Sequence, residues 1–315
     1  MIDQEEYLIS FSNLKSGLFK NQDNFLSDKK LTKYYNNSHF GIPICLPKNI
    51  KYFDYSKANF FEIDKKYFSK KIFGTSNLNY IGNKKYFRYG STFAYNVKIK
   101  KKYKSKVRFY IDNVKSIKSK ILQLNKKKQK ICAMQIRNVP HYGHEAVFKF
   151  ILKEFDLLIL NPIYGIKKKN DFSDRLISIA LKYMEKKYKN IKFLPFFSNF
   201  HYAGPREAFH HMHIRENLGF KNFYIGRDHA GAENNFQPLD AIKTVKKQKS
   251  KFNLKIISSS GGYYCEKCSN YLIKGTCKHK KLKNISGTSF REYLFKKKLY
   301  PHADKQLQKL INKKV

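Results

Sequence analysis

The sequence contains no tryptophan, and acidic residues are scarce: 23 aspartates and glutamates face 65 lysines and arginines, for a formal charge of +42. The excess is nearly all lysine, is spread along the chain, and accompanies abundant asparagine, isoleucine, tyrosine and phenylalanine. This combination is typical of a coding bias toward AT-rich codons, which places lysine on solvated faces whatever the protein does. Net charge indicates solubility and non-specific attraction of anions rather than one activity.

Long apolar runs are also missing. The longest stretches, such as Leu157–Leu160, are far shorter than the roughly 20 apolar residues that cross a bilayer. Acidic residues at positions 3, 5 and 6 stand where a secretion signal would be basic and then apolar. We therefore expect a soluble protein of the cytoplasm with no membrane partner.

Cysteine is scarce as well, with five residues, and in the cytoplasm these are more often thiols or metal ligands than disulfides. Four candidate ligands have the spacing Cys265-x2-Cys268-x8-Cys277-x-His279. Three thiolates and one imidazole supply the ligand set of a closed, tetrahedral, structural zinc site, so the spacing predicts Zn²⁺. Unmetallated thiols are the alternative, and the one residue before His279 is a tight spacing. Cys45 and Cys132 have no visible partner and are expected in the core.

The chain changes character near residue 125. Residues 1–125 contain short aromatic and β-branched runs between Asn, Gly and Lys turns, which predict a compact, mostly-β domain. The candidate strands there are 51–53, 86–89, 91–99 and 107–111. Residues 126–260 alternate strand-like and helix-like segments, which predicts an α/β domain with a parallel sheet covered on both faces. Residues 261–315 hold the cysteine cluster and a C-terminal helical segment.

The predicted strands of the α/β domain are 130–136, 156–161, 192–196, 222–225 and 252–258, and the predicted helices are 144–155, 172–188, 205–218 and 239–247. A first block of chemically distinctive residues, Gln-Ile-Arg-Asn-Val-Pro-His-Tyr-Gly-His over 135–144, follows the first of these strands. Pro140 suits a first helical turn, and His141 and His144 share one helix face. Two imidazoles at a helix N-terminus predict a phosphate cradle. A plain helix start or a metal pair is the alternative.

Two further blocks follow. Gly-Arg-Asp-His-Ala-Gly occupies 226–231, directly after the predicted strand 222–225. The third block is Ile-Ser-Gly-Thr over 285–288, followed by Arg291. Its Ser286 and Thr288 can cap the next helix, which would project Arg291 toward a phosphate, although an ordinary helix cap would have the same sequence.

In this order, with Ala-Gly-Pro-Arg-Glu-Ala at 203–208 between the first two, the blocks resemble those of sulfate adenylyltransferases, also called ATP sulfurylases. The resemblance covers about residues 125 to 300. It implies a Rossmann-like nucleotidyltransferase domain behind a PUA-like N-terminal domain. The implied partners are ATP and sulfate, which react to adenylyl sulfate (APS) and pyrophosphate. Sulfate attacks the α-phosphorus in line, the reaction is reversible, and Mg²⁺ accompanies ATP. Some bacterial and archaeal members carry a zinc knuckle before the third block, and a homodimer is expected.

The resemblance also implies roles for individual residues. Sulfate would contact Gln135, Arg137 and the backbone N–H of Ala230. The catalytic group would comprise Arg137, Asn138, His141 and His144. The nucleotide would contact Gln135, Asn138, His141, His144, Gly226, Arg227, Asp228, His229 and Arg291. The chain departs from the family pattern at Ile136, where a threonine is usual, and at Glu233, where a glycine is common.

Other interpretations remain open on sequence alone. A β domain, a zinc knuckle and a basic, aromatic surface would also fit an RNA-binding protein. Ile136 and Glu233 would fit a weakly active or degenerate nucleotidyltransferase homologue. Arg206 could tie its helix to the site or form a buried ion pair with Glu207 or Asp228. The chain has no Gly-x4-Gly-Lys-Ser/Thr loop, which argues against a fused kinase that acts on APS.

Overall fold

A computed structural model describes residues 4–167, 171–227, 229–231 and 235–313. The helices in these ranges are α1 (Glu5–Lys15), α2 (Asp28–Asn36), α3 (Lys65–Phe73), α4 (Ile81–Tyr86), α5 (Lys104–Lys126), α6 (Tyr142–Ile151), α7 (Asp174–Lys187), α8 (Pro205–Asn217), α9 (Asp240–Lys247), α10 (Gly287–Phe295) and α11 (Lys305–Asn312). The strands are β1 (Leu46–Pro47), β2 (Phe53–Asp54), β3 (Asn59–Glu62), β4 (Thr92–Tyr95), β5 (Lys98–Ile99), β6 (Ile131–Met134), β7 (Leu157–Leu160), β8 (Ile163–Tyr164), β9 (Ile191–Phe193), β10 (Phe196–Phe197), β11 (Asn222–Ile225), β12 (Lys255–Ser258), β13 (Gly262–Cys265), β14 (Asn270–Ile273) and β15 (Lys283–Asn284).

The centre of the molecule is a five-stranded, all-parallel sheet in the order β12-β11-β6-β7-β9. Every residue of β6 and β7 is buried, as expected for strands with helices on both faces. The chain leaves β6 toward β7 on one side and later returns to β11 on the other side. This reversal opens a crevice at the carboxyl ends of β6 and β11, the place where open α/β sheets bind ligands.

The α/β prediction is confirmed element by element. The five predicted strands correspond to β6, β7, β9, β11 and β12, and the four predicted helices correspond to α6, α7, α8 and α9. Start signals explain the helix positions: Pro205 occupies the first turn of α8, and the Ser173 hydroxyl accepts the N–H of Leu176 at the start of α7.

The prediction of a mostly-β N-terminal part is wrong, because helices α1 to α5 outweigh the short strands β1 to β5. The candidate strand 107–111 lies inside α5, and 86–89 lies at the end of α4 and in the turn after it. Helix α5 buries Val107, Tyr110, Val114, Ile117 and Ile121, while six lysines lie among its other residues. That helical periodicity over the whole segment outweighs the local strand propensity of a few aromatic and β-branched residues.

Residues on both sides of position 125 share one apolar core. Leu8 and Phe53 from the N-terminal part belong to the same buried cluster as Phe209 of α8 and Phe223 of β11. None of the helices in the described ranges combines the length and the apolar character that crossing a membrane demands.

Arg206, in the first turn of α8, joins the two parts directly. Its guanidinium donates to the backbone carbonyls of Gly41 (2.8 Å), Lys71 (3.2 Å) and Tyr34, and it is almost fully buried. Glu207 is not its partner, and Asp228 lies outside the described residues. Arg206 therefore ties α8 to three N-terminal segments, since a buried guanidinium needs acceptors for its five N–H groups.

The C-terminal part adds an antiparallel sheet in the order β14-β13-β15, which packs against α6. The closest approach joins the start of β13 to the first turn of α6. A Cβ atom placed on Gly262 would lie 2.0 Å from the carbonyl oxygen of Gly143, so only glycine fits there.

We expect Gly262→Ala to lower the melting temperature by several degrees, because two backbones must separate to admit one methyl group. Gly226→Ala is the matched control, since its new methyl group would meet nothing closer than Tyr224 at 3.7 Å. Thermal unfolding followed by circular dichroism compares the two variants. Equal melting temperatures would show that the contact between β13 and α6 tolerates a methyl group.

Candidate active site

A cavity of about 270 Å³ lies at the carboxyl ends of β6 and β11. The sequence-predicted residues that line it are Gln135, Arg137, Asn138, His141, His144, Gly226, Arg227, His229 and Ala230. Asp228 and Glu233 lie outside the described residues. Residues from two separate segments of the sequence thus meet around one space.

The loop between β6 and α6 has apolar side chains in the core and polar side chains at the cavity. Ile136 is only 4% exposed and, with Val139, joins the apolar cluster beneath the loop. The flanking Arg137 and Asn138 line the cavity, and the guanidinium of Arg137 lies 5.9 Å from the ring centroid of Tyr202. The two apolar anchors therefore fix the loop, while a cation–π contact helps to hold the arginine at the cavity.

Several buried polar atoms at this loop have no hydrogen-bond partner among the described residues: Gln135 Oε1, Asn138 Oδ1 and His141 Nδ1. A buried polar atom without a partner costs about 1–3 kcal/mol. A polar ligand or water in the cavity would remove that cost, so these atoms favour an interpretation of the cavity as a binding site.

His141 and His144 lie together at the start of α6, with ring centroids 4.0 Å apart. The backbone N–H of His141 donates to Nδ1 of His144 over 3.3 Å. Because Nδ1 of His144 is an acceptor, its proton lies on Nε2, which is the donor left for a ligand.

Burial determines the charge of both imidazoles. It lowers the pKa of His144 to about 4. Burial, together with the neighbouring His144 and His302, lowers the pKa of His141 well below its ordinary value. Both rings are therefore neutral near pH 7 without a ligand, and they can bind phosphate oxygens as hydrogen-bond donors rather than as cations.

Arg227, after β11, is held by the C-terminal sheet. Its guanidinium donates to the Tyr263 hydroxyl (2.8 Å) and to Asn284 Oδ1 (3.0 Å), and it lies 5.5 Å from the Tyr263 ring centroid. The sequence alone identifies neither partner, because both contacts depend on how β13 and β15 pack beside the loop that follows β11. Farther along, the carbonyl of Ala230 accepts the N–H of Gly204 (3.1 Å), which ties this loop to the start of α8.

His229 leads into a chain of buried ionisable groups that sequence reasoning missed. Its Nε2 lies 2.9 Å from Nδ1 of His211, whose Nε2 lies 3.5 Å from Oε1 of Glu207. The two carboxylate oxygens of Glu207 accept the backbone N–H groups of His201 (2.8 Å) and Ala203 (3.0 Å). The spacing of Glu207 and His211, four residues apart on α8, is the signal that could have indicated the pair.

The third block contributes Ile285 and Gly287 to the cavity lining. Ser286 caps α10, with its hydroxyl accepting the N–H of Ser289 over 3.2 Å, in line with the expected helix cap. Arg291 is not among the described residues that line the cavity, since its guanidinium pairs with Asp171 Oδ1 at 2.6 Å. Its predicted contact with the nucleotide would require that ion pair to open.

The four predicted metal ligands converge beside the C-terminal sheet, with the ligand atoms of Cys265, Cys268, Cys277 and His279 all within 4.8 Å of one another. His279 Nδ1 lies 3.4 Å from Cys265 Sγ and 3.2 Å from Cys268 Sγ, and Cys277 Sγ lies 3.9 Å from Cys265 Sγ. A tetrahedron with Zn–S of about 2.3 Å and Zn–N of about 2.0 Å has edges of roughly 3.5–3.8 Å. The donor set and its spacing therefore fit Zn²⁺.

Comparison with known proteins gives a consistent result. A family model described as ATP-sulfurylase matches residues 112–303. A sulfate adenylyltransferase of Ignicoccus hospitalis is 32% identical over 251 residues, which is 76% of this chain and 64% of that protein. One from Staphylothermus marinus is 36% identical over 185 residues, or 57% and 48% of the two chains. The chain thus spans about half to two thirds of the length of these curated relatives.

A solved structure titled "Hexameric APS kinase from Thiobacillus denitrificans" resembles the whole chain, with a TM-score of 0.66 at 11% sequence identity. The superposition covers 98% of this chain and 61% of that one. At this identity the likeness concerns the fold, and it extends across the N-terminal part as well as the α/β part.

Proposed function

This chain belongs to the ATP-sulfurylase family, and we propose that it catalyses the sulfate adenylyltransferase reaction, in which ATP and sulfate form APS and pyrophosphate. The observation that carries the proposal is the meeting of Arg137 and Arg227 at one cavity, each on the loop that follows a neighbouring parallel strand. The relatives of that name support the same activity, and the one from Ignicoccus hospitalis aligns with more of the chain than the family model does.

The reaction brings two anions together. The oxygen of sulfate forms a bond to the α-phosphorus while the bond to pyrophosphate breaks, so the protein must align both reactants and neutralise their charge. We assign sulfate to Gln135, Arg137 and the backbone N–H of Ala230. Sulfate is already deprotonated, and the reaction therefore needs no general base.

The nucleotide occupies the other part of the cavity in this proposal. Its phosphates would be held by Asn138, by the neutral imidazoles of His141 and His144, the second of them through its Nε2–H, and by Arg227. Gly226 and His229 complete the contacts on the β11 side. Asp228 and Arg291 stay predicted contacts, the first because it lies outside the described residues and the second because it is paired with Asp171.

The described lining does not fit a magnesium ion held by the protein. Its one carboxylate belongs to Glu207, whose oxygens already accept two backbone N–H groups. Magnesium prefers oxygen ligands in octahedral geometry and commonly binds through substrate phosphates. We propose that Mg²⁺ enters the site as the complex with ATP.

The cysteine and histidine cluster fits a structural Zn²⁺ ion held by Cys265, Cys268, Cys277 and His279. Such an ion adds folding free energy to a small module and takes no part in the chemistry. Since the module that carries it also holds Arg227 through Tyr263 and Asn284, the metal would stabilise the frame of the site.

We also propose a division into 1–125, 126–260 and 261–315. In this division the small antiparallel sheet of β1, β4 and β3 is the part of residues 1–125 that a PUA-like domain would share. A cytoplasmic location and a homodimer stay predictions of the same proposal, and light scattering on the purified chain tests the second. We expect no specific nucleic-acid partner, because the lysine excess is spread along the chain.

A coupled pyrophosphate-release assay with ATP and sulfate tests the activity. Release that depends on sulfate supports the proposal, while slow release would favour the weakly active homologue. Binding of ATP without any release would favour a degenerate nucleotidyltransferase. Tight, salt-resistant binding of a defined RNA with no pyrophosphate release would favour the RNA-binding alternative.

We expect Ile136→Thr to keep or raise turnover, because it restores the hydroxyl that is usual in the family at a residue lining the cavity. Stability should fall by about 1 kcal/mol, since a buried apolar contact is exchanged for a hydroxyl. Ile136→Val is the matched control: it has the shape of threonine without the oxygen. If the valine and threonine variants turn over equally, the hydroxyl has no role here.

A further inference from the structure

Three neighbouring ionisable side chains, all nearly buried, line one side of the cavity. Glu207 is 1% exposed, His211 is 0% exposed, and His229 is 9% exposed. Nothing in the reaction as proposed uses Glu207 or His211. Buried ionisable groups are costly unless they are paired, so their arrangement calls for a reason.

The surrounding contacts favour one arrangement of the protons. Two backbone N–H groups point at the oxygens of Glu207, which favours the carboxylate, although burial raises the pKa of this group. Nε2 of His211 makes no hydrogen bond among the described residues, but it lies 3.5 Å from the Glu207 carboxylate, which can only accept, so we take this nitrogen to carry a proton. Nδ1 of His211 is then the acceptor, and Nε2 of His229 donates to it. This leaves Nδ1 of His229 as an unprotonated nitrogen that a ligand in the cavity can meet.

We propose that Glu207, His211 and His229 form a buried relay that lets His229 take up a proton when an anion fills the cavity. The proton comes from solvent and bonds to Nδ1 of His229, while Nε2–H stays in place. The occupied site then holds an imidazolium that donates to the anion, and the carboxylate of Glu207 compensates its charge through His211. The inference rests on the proposed function, because it takes the ligand of the cavity to be a sulfate or phosphate group.

The charges around His229 explain why uptake should wait for the ligand. Burial, followed by the cations Arg215 on α8 and Arg137 on the β6 loop, lowers the pKa of His229 to about 3. Arg215 is fully buried, packs between the rings of Phe196 and Phe223, and donates to the carbonyl of Asn161 at 2.7 Å. The negative charge of an anion in the cavity offsets the positive charges of Arg215 and Arg137. It therefore raises the pKa of His229 and favours the imidazolium.

Nitrogen-15 NMR of protein labelled in its histidine rings tests the relay directly. Without ligand, His229 should be neutral with its proton on Nε2. With pyrophosphate as the probe, it should become an imidazolium at pH 7. A resting proton on Nδ1, or a ring that stays neutral in the occupied site, would overturn the relay. If pyrophosphate shifts no resonance, the proposed function is contradicted, and the resting proton position alone then decides the relay.

Three substitutions separate a relay from a packing role. His211→Phe fills the space without a nitrogen, so His229 should stay neutral and pyrophosphate should bind about tenfold more weakly, because a charge-assisted hydrogen bond is lost. His211→Asn returns an amide near the position of Nδ1 and should recover part of the affinity. Glu207→Gln removes the compensating charge and should also leave His229 neutral. If these variants bind and protonate like the wild type, the relay is wrong.

His210→Phe is the matched control. His210 is buried on the same helix, stacks on Phe19, and its Nε2 has no partner among the described residues. It does not line the cavity, so its replacement should leave both the protonation of His229 and the affinity for pyrophosphate unchanged. A loss equal to that of His211→Phe would assign the effect to packing of α8 and overturn the relay.

Discussion

Replacing Arg137 with alanine should reduce sulfate-dependent pyrophosphate release by about a hundredfold or more, since losing one preorganised contact to developing charge costs roughly 3 kcal/mol. His144→Ala should have a similar effect, because it removes the Nε2–H donor at the start of α6. Both side chains line the cavity and are only partly buried, so the fold should survive. Initial rates at saturating ATP and sulfate, with circular dichroism of each variant, measure the effect.

Arg108→Ala is the control for Arg137→Ala, because its side chain is 84% exposed on α5 and the chemical change is the same. Its turnover should equal that of the wild type. Arg137→Lys should recover part of the lost rate, since the charge returns without the planar pair of donors. Wild-type turnover in Arg137→Ala would show that the cavity at β6 and β11 is not where sulfate reacts.

Replacing Cys268 with serine should lower the melting temperature by on the order of 10 °C, because a structural zinc site contributes directly to folding and loses affinity when a thiolate is removed. Cys268 is exposed, so the substitution by itself changes little buried surface in the fold. Purified wild-type protein should contain about one zinc per chain, which elemental analysis measures. The affinity for ATP, measured well below the transition, should change much less.

Lys267→Ala, in the same turn, changes a neighbour that is not a ligand, and it should leave both zinc content and melting temperature as they are. Metal-free wild-type protein that melts at the same temperature as the zinc-bound protein would rule out a structural metal. The cluster would then be three unmetallated thiols and an imidazole beside β13.

The sequence was most informative where local pattern and tertiary environment agree. A strand buried on both faces must be apolar throughout, so Leu157–Leu160 could be recognised as a strand without knowledge of its neighbours. A parallel sheet also predicts that the residues after β6 and those after β11 lie close together, because the carboxyl ends of adjacent parallel strands meet at one edge. The sequence of α5 does not predict a helix locally, because its short aromatic and β-branched runs favour a strand. Its helical periodicity is visible only over the full length of the segment.

Other features arise only from folding. Tyr263 and Asn284 hold Arg227 because β13 and β15 pack near β11, and no spacing in the sequence announces that contact. The pairing of Arg291 with Asp171 joins residues far apart in the chain, so a motif centred on Arg291 could not reveal it. The partners of Arg206 are backbone carbonyls, which any residue type can supply.

The anchoring of Arg206 has a consequence for how this family is divided. The family match begins at residue 112, inside α5, which suggests a unit that could be cut out at that point. The carbonyl groups that bind Arg206, however, all belong to chain segments before that position. An excised fragment would keep a guanidinium at the start of α8 with its acceptors removed, on the same helix that carries Glu207 and His211 toward the cavity. The region that the family model matches is therefore smaller than the region that packs together in this chain.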